Sequence, residues 1–269
     1  MGKYVPYGDK PAEKAAVLLT RIAKLLFVDD CNCILCGKEL EDKKRSGLCP
    51  DCLAKLPLND GEICRKCGRV LLNEADYCNT CQNNDRHFSI ARSACVYEDG
   101  AVTLVRGLKF GGKRYFAKYL ANLMTDKYLD EGFDCDCVIA VPLSAKRKRM
   151  RGYNQADLLA REISSALRLD YMNGAVVKIK DNERQAKLGH IAREKNVKGA
   201  YKVADKEAVK GRRVLLVDDV LTTGATASEV AGILLKAKAK SVSVLTFAST
   251  RYKVPSETGG EDDYEDKMV

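Results

Sequence analysis

The chain has 269 residues, of which 46% are hydrophobic and 31% are charged. This length and apolar fraction suit one large domain, or a main domain with a small attachment, and exclude a disordered, collagen-like or simple repeat protein. Lysines and arginines outnumber aspartates and glutamates by 46 to 37. The net charge of +9 favours an anionic partner but does not choose among nucleic acid, a membrane surface and a phosphorylated small molecule.

Residues 1–30 contain no apolar segment of the kind that signal peptides or membrane spans require. The most apolar stretch, 15–28, is interrupted by Arg21 and Lys24, and its spacing predicts an amphipathic helix. Twelve cysteines in a chain without a secretory signal favour metal ligands over disulfides, because the cytosol is reducing. We therefore predict a cytoplasmic protein that binds metal.

Residues 31–84 contain four CxxC pairs, which predict a double zinc ribbon. The pairs are Cys33/Cys36, Cys49/Cys52, Cys64/Cys67 and Cys78/Cys81. Two such turns that face each other supply the four thiolates of a closed Zn²⁺ site, which has no open position for a catalytic water. We predict two structural Zn²⁺ sites, paired either sequentially or crossed, with Cys31 left over. An iron–sulfur cluster, a redox-active CxxC and a disulfide scaffold are the alternatives.

From residue 85 onward the pattern changes to alternating strands and helices. Apolar strands are predicted near 91–97, 135–141, 214–217 and 241–247, and helices near 102–110, 115–128, 154–167 and 225–239. Continuously apolar strands separated by helices are typical of a buried parallel sheet. We predict an α/β domain with a Rossmann-like parallel sheet over 85–254, followed by an acidic disordered tail over 255–269.

The most informative segment is LLVDDVLTTGAT, at 215–226. A buried strand brings Asp218 and Asp219 to the carboxyl edge of the sheet, and a turn rich in threonine and glycine then begins a helix. Unpaired N–H groups at such a turn favour a phosphate, whereas two adjacent acids favour sugar hydroxyls or a metal ion. The segment therefore predicts a phosphosugar site, and an ordinary βα turn with a threonine cap is the alternative.

This segment resembles the phosphoribosyl diphosphate (PRPP) binding motif of type I phosphoribosyltransferases. The resemblance implies that Asp218 and Asp219 are the catalytic acids that hold the ribose hydroxyls, and that Mg²⁺ enters with PRPP. It also implies three binding segments. They are Thr222, Thr223, Gly224, Ala225 and Thr226 for the 5′-phosphate, Pro142, Leu143, Ser144, Ala145 and Lys146 for the pyrophosphate, and Arg184, Gln185, Lys187 and Arg193 in a flexible loop that closes the site.

Further segments are similar, in order and spacing, to the ComF family, which is known for competence proteins used in DNA uptake. These are CILCG, CPDC and CRKCG among the cysteines, LKFGGK at 108–113, VIAVPLSAKRKRMRGYNQA at 138–156 and RQAKLGHIAREKNVKGAY at 184–201. The similarity implies a PRPP-binding protein of DNA uptake that transfers phosphoribose to an unidentified acceptor. The alternative is an inactive nucleotide-sensing adaptor that docks a ComFA-like DNA helicase through its zinc ribbons.

The positive charge is concentrated in two segments. Residues 141–155 hold five bases and no acid, and residues 178–213 hold twelve bases and five acids. This surplus exceeds what one PRPP requires, which makes single-stranded DNA a candidate partner, with Tyr153 or Tyr201 stacking on its bases. Solvated basic faces without a ligand are the alternative.

Overall fold

The computed structural model describes residues 32–40, 46–71, 74–83, 86–180 and 197–252. The predicted N-terminal helix, the acidic tail, Cys31 and the closing-loop residues Arg184, Gln185, Lys187 and Arg193 lie outside these ranges. The described elements are, in chain order, α1 (Pro50–Ala54), α2 (Asn79–Asn83), β1 (Ile90–Val96), α3 (Asp99–Lys109), α4 (Phe116–Asp130), β2 (Cys137–Ala140), α5 (Ala145–Arg151), α6 (Gln155–Leu167), β3 (Asp170–Tyr171), β4 (Val176–Lys178), β5 (Tyr201–Val203), β6 (Arg213–Leu221), α7 (Ala225–Lys236) and β7 (Ser241–Ser249).

Five strands form the parallel sheet that the sequence predicts, in the order β1-β7-β6-β2-β3. From β2 the chain continues to β3 on one side and later returns to β6 on the other, so the strand order reverses between β2 and β6. Open α/β sheets bind ligands outside the carboxyl ends of the strands at such a reversal. The segments that follow β2 and β6 are therefore the expected location of a site.

The sheet has a hydrophobic core on each face because most residues of its central strands β2 and β6 are apolar. Val138, Leu215 and Val217 pack with helices α4 and α6 on one face. Ile139 and Leu216 pack with helix α7 on the other face, as the alternation of side chains along a strand requires. Burial of each large aliphatic side chain stabilises the fold by about 1.5–3 kcal/mol.

The cysteine-rich segments share these two cores instead of forming a separate one. Ile34, Leu48 and Leu56 belong to the core that contains α4, whereas Leu71 and several cysteines belong to the other, with Phe88 and Ala91. The Ala91 N–H donates to the Lys66 carbonyl at 2.8 Å. A Cβ atom on Gly68 would lie 2.5 Å from the Ala91 carbonyl oxygen. The segment that contains Cys64 and Cys67 is thus in direct backbone contact with strand β1.

Strands β4 and β5 form a separate antiparallel pair, with Val176 opposite Val203. They lie on either side of the segment in which the sequence predicts a closing loop. None of the helices in the described part of the chain is long and apolar enough to span a membrane.

Candidate functional site

Two groups of four cysteines have the geometry of a structural zinc site. In each group the four Sγ atoms lie within 4.8 Å of one another. The first ribbon contains Cys33, Cys36, Cys49 and Cys52, and the second ribbon contains Cys64, Cys67, Cys78 and Cys81. The Sγ atoms of Cys36 and Cys49 are 3.7 Å apart, and those of Cys67 and Cys78 are 3.8 Å apart. Four sulfurs bound at about 2.3 Å to one Zn²⁺ stand about 3.8 Å apart, so both groups fit the ion and the pairing is sequential.

The same turn is repeated in both ribbons. Gly37 and Gly68 follow the second cysteine of a pair with φ of 78° and 68°, a left-handed conformation that glycine adopts without strain. In the second ribbon the buried Arg69 places Nη2 3.7 Å from Cys78 Sγ. Because Zn²⁺ with four thiolates has a net charge of −2, this guanidinium stabilises the filled site electrostatically.

The two acids of the phosphosugar motif lie inside strand β6, which continues to Leu221, whereas the sequence predicted that the strand ends at Val217. Successive side chains of a strand point to opposite faces, so Asp218 and Asp219 have different surroundings. Asp219 is buried, and its Oδ2 lies 3.0 Å from Lys109 Nζ in an ion pair that lacks a well-directed hydrogen bond. Asp218 is half-buried, and its Oδ1 accepts a hydrogen bond from the Asp219 N–H at 2.9 Å.

The electrostatics of Asp218 differ from those of an exposed carboxyl. Burial and the neighbouring Asp219 carboxylate raise the pKa of Asp218 to about 8, although the Lys109 cation opposes this shift. A hydroxyl or cation of a ligand that contacts Asp218 would stabilise its ionised form. The Asp218 carboxyl therefore suits a ligand group that donates hydrogen bonds or carries positive charge.

Residues 222–226, the predicted 5′-phosphate segment, are called the phosphate loop. The carbonyl groups of Leu221, Thr222 and Thr223, around the start of this loop, all accept hydrogen bonds. The Thr250 N–H donates to Leu221 O at 3.1 Å, and Thr250 Oγ1 donates to Thr222 O at 3.4 Å. Arg86 Nη2 donates to Thr223 O at 3.0 Å. In a trans peptide the C=O and the following N–H point in opposite directions. The N–H groups of Thr222, Thr223 and Gly224 therefore point away from these supports.

These three N–H groups form a site that suits an anion. No residue in the described ranges accepts a hydrogen bond from any of them. Gly224 has φ of 76° and is followed directly by α7, so the row of N–H groups continues into a helix N-terminus. Consecutive N–H groups at such a turn bind phosphates.

The predicted pyrophosphate segment, 142–146, lies at the same edge of the sheet. The Val141 N–H donates to Val217 O at 2.9 Å, which places Pro142 beside the acid pair on the neighbouring strand. Ser144 is buried, and its Oγ accepts from the Arg147 N–H at 3.3 Å and caps helix α5. Lys146 is exposed. The structure thus brings the predicted 5′-phosphate and pyrophosphate segments together, while the residues of the predicted closing loop lie outside the described part.

The two tyrosines predicted to stack on bases are buried. Tyr153 is 8% exposed, and its hydroxyl donates to the Leu108 carbonyl. Tyr201 is 6% exposed, and burial together with the Asp218 carboxylate raises its pKa to about 12. The Tyr201 hydroxyl lies beside that of Thr226, so β5 begins next to the acid pair. The stacking prediction is wrong for both rings because neither presents a free face.

Both the cysteine-rich part and the α/β part of the chain match known protein families. Residues 22–82 match the family model of the double zinc ribbon domain, and residues 149–269 match that of the phosphoribosyl transferase domain. Competence protein F of Haemophilus influenzae is 31% identical over 222 residues, which cover 80% of this chain and 96% of that protein. The chain belongs to the ComF family.

This ComF chain is also 29% identical to the DNA utilization protein YhgH of Escherichia coli strain K12, over 76% of the chain and 97% of that protein. A solved structure of hypoxanthine phosphoribosyl transferase from Trypanosoma cruzi matches 55% of the chain and 71% of its own length, with 15% identity and a TM-score of 0.33. The predicted family and fold class, a phosphoribosyltransferase-type α/β domain with a double zinc ribbon, are confirmed.

The ComF chain exposes apolar side chains among bases near α5. Phe110, Tyr115 and Met150 are 57%, 45% and 80% exposed. The Arg151 guanidinium lies 5.1 Å from the Phe110 ring centroid, which joins the segment after α3 to helix α5. We call this region the basic aromatic surface; it consists of Phe110, Lys113, Arg114, Tyr115, Lys146, Lys148, Arg149 and Met150.

Three residues that contact the candidate site lie outside its predicted binding segments. Lys109 belongs to the LKFGGK segment, whose sequence gives no indication of a contact with Asp219. Arg86 and Thr250 belong to no motif, and only the fold brings them to the phosphate loop. A single sequence contains no indication of such contacts.

Proposed function

We propose that this ComF chain binds Mg²⁺-PRPP at the carboxyl edge of β2 and β6 and acts in DNA uptake. The main support is the row of outward N–H groups at Thr222, Thr223 and Gly224 beside the half-buried Asp218. An anion site and a carboxyl acceptor side by side suit the phosphate and the hydroxyls of one phosphosugar. The competence and DNA utilization proteins among its relatives support the role in DNA uptake.

In this proposal the phosphate loop binds the 5′-phosphate and Asp218 accepts hydrogen bonds from the ribose hydroxyls. Asp219, ion-paired with Lys109, contributes to the same ribose contact or fixes the strand beneath it. Segment 142–146 and the closing loop bind the diphosphate. Mg²⁺ enters with PRPP as part of the substrate.

The proposed reaction transfers phosphoribose to an acceptor. The bond between C1 of the ribose and the diphosphate oxygen breaks, and the diphosphate leaves with the electron pair. A lone pair of the acceptor forms the new bond to C1, and the acceptor loses a proton to solvent. The protein contributes by positioning both reactants and by stabilising charge on the departing diphosphate.

Titration calorimetry with PRPP and Mg²⁺ tests this function. Asp218→Asn is expected to weaken PRPP binding about tenfold to a hundredfold, because a hydrogen bond to a charged group contributes about 1.5–3 kcal/mol. Asp136→Asn is a matched control, since Asp136 pairs with Arg213 at the opposite end of the same two strands. Absence of PRPP binding by the wild type, or equal binding by Asp218→Asn, would contradict the proposal. Diphosphate release across a panel of bases and nucleic acids separates turnover from an adaptor that docks a DNA helicase.

We propose single-stranded DNA as a second ligand, bound at the basic aromatic surface. The predicted tyrosines are buried, but Phe110 and Tyr115 offer exposed rings within a group of lysines and arginines. Proteins that bind single strands without sequence preference combine such rings, which stack on bases, with cations that contact the backbone.

Fluorescence anisotropy with a labelled oligothymidine measures this binding. Phe110→Ala/Tyr115→Ala is expected to weaken it about thirtyfold or more, because each of the two rings contributes about 1–3 kcal/mol by stacking on a base. Tyr77→Ala removes an exposed ring from the second ribbon and serves as the control. The affinity should also fall steeply as salt increases. Equal affinities of the three proteins, or an affinity independent of salt, would exclude this surface.

A further inference from the structure

The phosphate loop accepts a hydrogen bond from Arg86, which follows the second ribbon in the chain. Arg86, whose side chain is buried, donates to Thr223 O at 3.0 Å and lies five positions after Cys81, the last cysteine of that ribbon. The next residue, His87, contacts helix α7, which follows the loop. The His87 N–H donates to Ser228 Oγ on α7 at 3.2 Å.

A second connection reaches the loop from the segment after β7. Thr250 holds the carbonyls of Leu221 and Thr222. Two positions later, the Tyr252 N–H donates to Val70 O in the second ribbon at 3.0 Å. The Arg69 guanidinium lies 5.0 Å from the Tyr252 ring centroid. Thr250 and Tyr252 therefore join the loop to the second ribbon.

We propose that Arg86 is a positioning residue that orients the phosphate loop. By holding Thr223 O, Arg86 fixes the peptide that ends in the Gly224 N–H, and so turns that donor toward the anion. Gly224 particularly requires this support because glycine adopts many backbone conformations at little cost. This inference rests on the proposed function, since the anion is taken to be the 5′-phosphate of PRPP.

Charge supports the same assignment. A buried guanidinium behind the loop adds positive charge to the partial charges of the three N–H groups. A buried cation acts over a longer distance than an exposed one, because water screens it less. Loss of Arg86 therefore removes both the orientation of the Gly224 N–H and part of the positive potential at the phosphate.

The test compares binding of ribose 5-phosphate and of Mg²⁺-pyrophosphate by titration calorimetry. Arg86→Met is expected to weaken ribose 5-phosphate binding about tenfold and to leave pyrophosphate binding unchanged. Arg86→Lys, which keeps the charge and one donor, should restore most of the affinity. Arg92→Met is the matched control, because Arg92 is also buried and also donates to a backbone carbonyl, that of Arg65, away from the phosphate loop. An equal loss for both ligands in Arg86→Met, or an equal loss in Arg92→Met, would overturn the assignment.

Hydrogen exchange measured by mass spectrometry tests the same role without a ligand. In Arg86→Met, peptides that cover 221–227 should exchange faster than in the wild type, whereas in Arg92→Met they should not. If the wild type fails to bind ribose 5-phosphate, the proposed function fails and the exchange rates alone decide the role of Arg86. Identical exchange of this segment in both variants would refute that role.

Discussion

Replacement of two ligands of the second ribbon, Cys64→Ser/Cys67→Ser, is expected to destabilise the whole ComF body and not only the ribbon. Structural Zn²⁺ in small domains binds with an apparent free energy of about 10–16 kcal/mol, as large as the whole stability of a typical domain, about 5–15 kcal/mol. Both cysteines are buried in the core that contains Phe88 and strand β6. We expect zinc content to fall from two ions per chain to one, and the melting temperature to fall by at least about 10 °C.

The control for this variant is Cys95→Ala, which removes a fully buried thiol that belongs to neither ribbon. It should retain both zinc ions and lose only about 1 kcal/mol of stability. Zinc is measured by plasma mass spectrometry and unfolding by circular dichroism. If the double serine variant lost one zinc ion but melted like Cys95→Ala, the second ribbon would fold independently of the sheet.

The sequence predicted the four longer strands of the sheet and the four longer helices well, because those strands are largely apolar and those helices periodic. It did not predict the short strands β3, β4 and β5 or helix α5. It did not determine how the cysteines pair, since loops of similar length permit both sequential and crossed arrangements. It also gave no indication that the ribbons share the two cores of the sheet. That sharing depends on contacts such as Gly68 against the Ala91 carbonyl, which join residues distant in the chain.

For the site, the motif located the phosphate loop but not the groups that hold it. The acid pair was predicted to follow a strand that ended at Val217, because Asp is uncommon inside strands. Pairing with β7 extends β6 to Leu221 and sends the two carboxyls to opposite faces. Lys109 then becomes the partner of Asp219, a contact between residues more than a hundred positions apart. Only the packing of α3 against the sheet creates it.

The ion pair between Lys109 and Asp219 leads to the second large effect, expected for Lys109→Met. Both side chains are almost entirely buried. Removing one partner of a buried ion pair typically costs about 3–5 kcal/mol, because the remaining charge is left without compensation. We expect a loss of this size in urea unfolding of Lys109→Met. Lys113→Met removes an exposed lysine from the loop four residues further on and should change the stability by less than about 0.5 kcal/mol.

The double variant Lys109→Met/Asp219→Asn separates the role of the pair in stability from its role in binding. Without a buried charge, it should recover most of the stability lost in Lys109→Met, since neutral replacements of a buried pair are often nearly neutral. If Asp219 also contacts the ribose, as the family resemblance implies, the double variant will still bind PRPP at least about tenfold more weakly than the wild type. Wild-type affinity would mean that Asp219 only anchors strand β6 and that Asp218 alone accepts the ribose hydroxyls. Failure of the double variant to recover stability would instead show that Lys109 stabilises the fold by packing and not by pairing with Asp219.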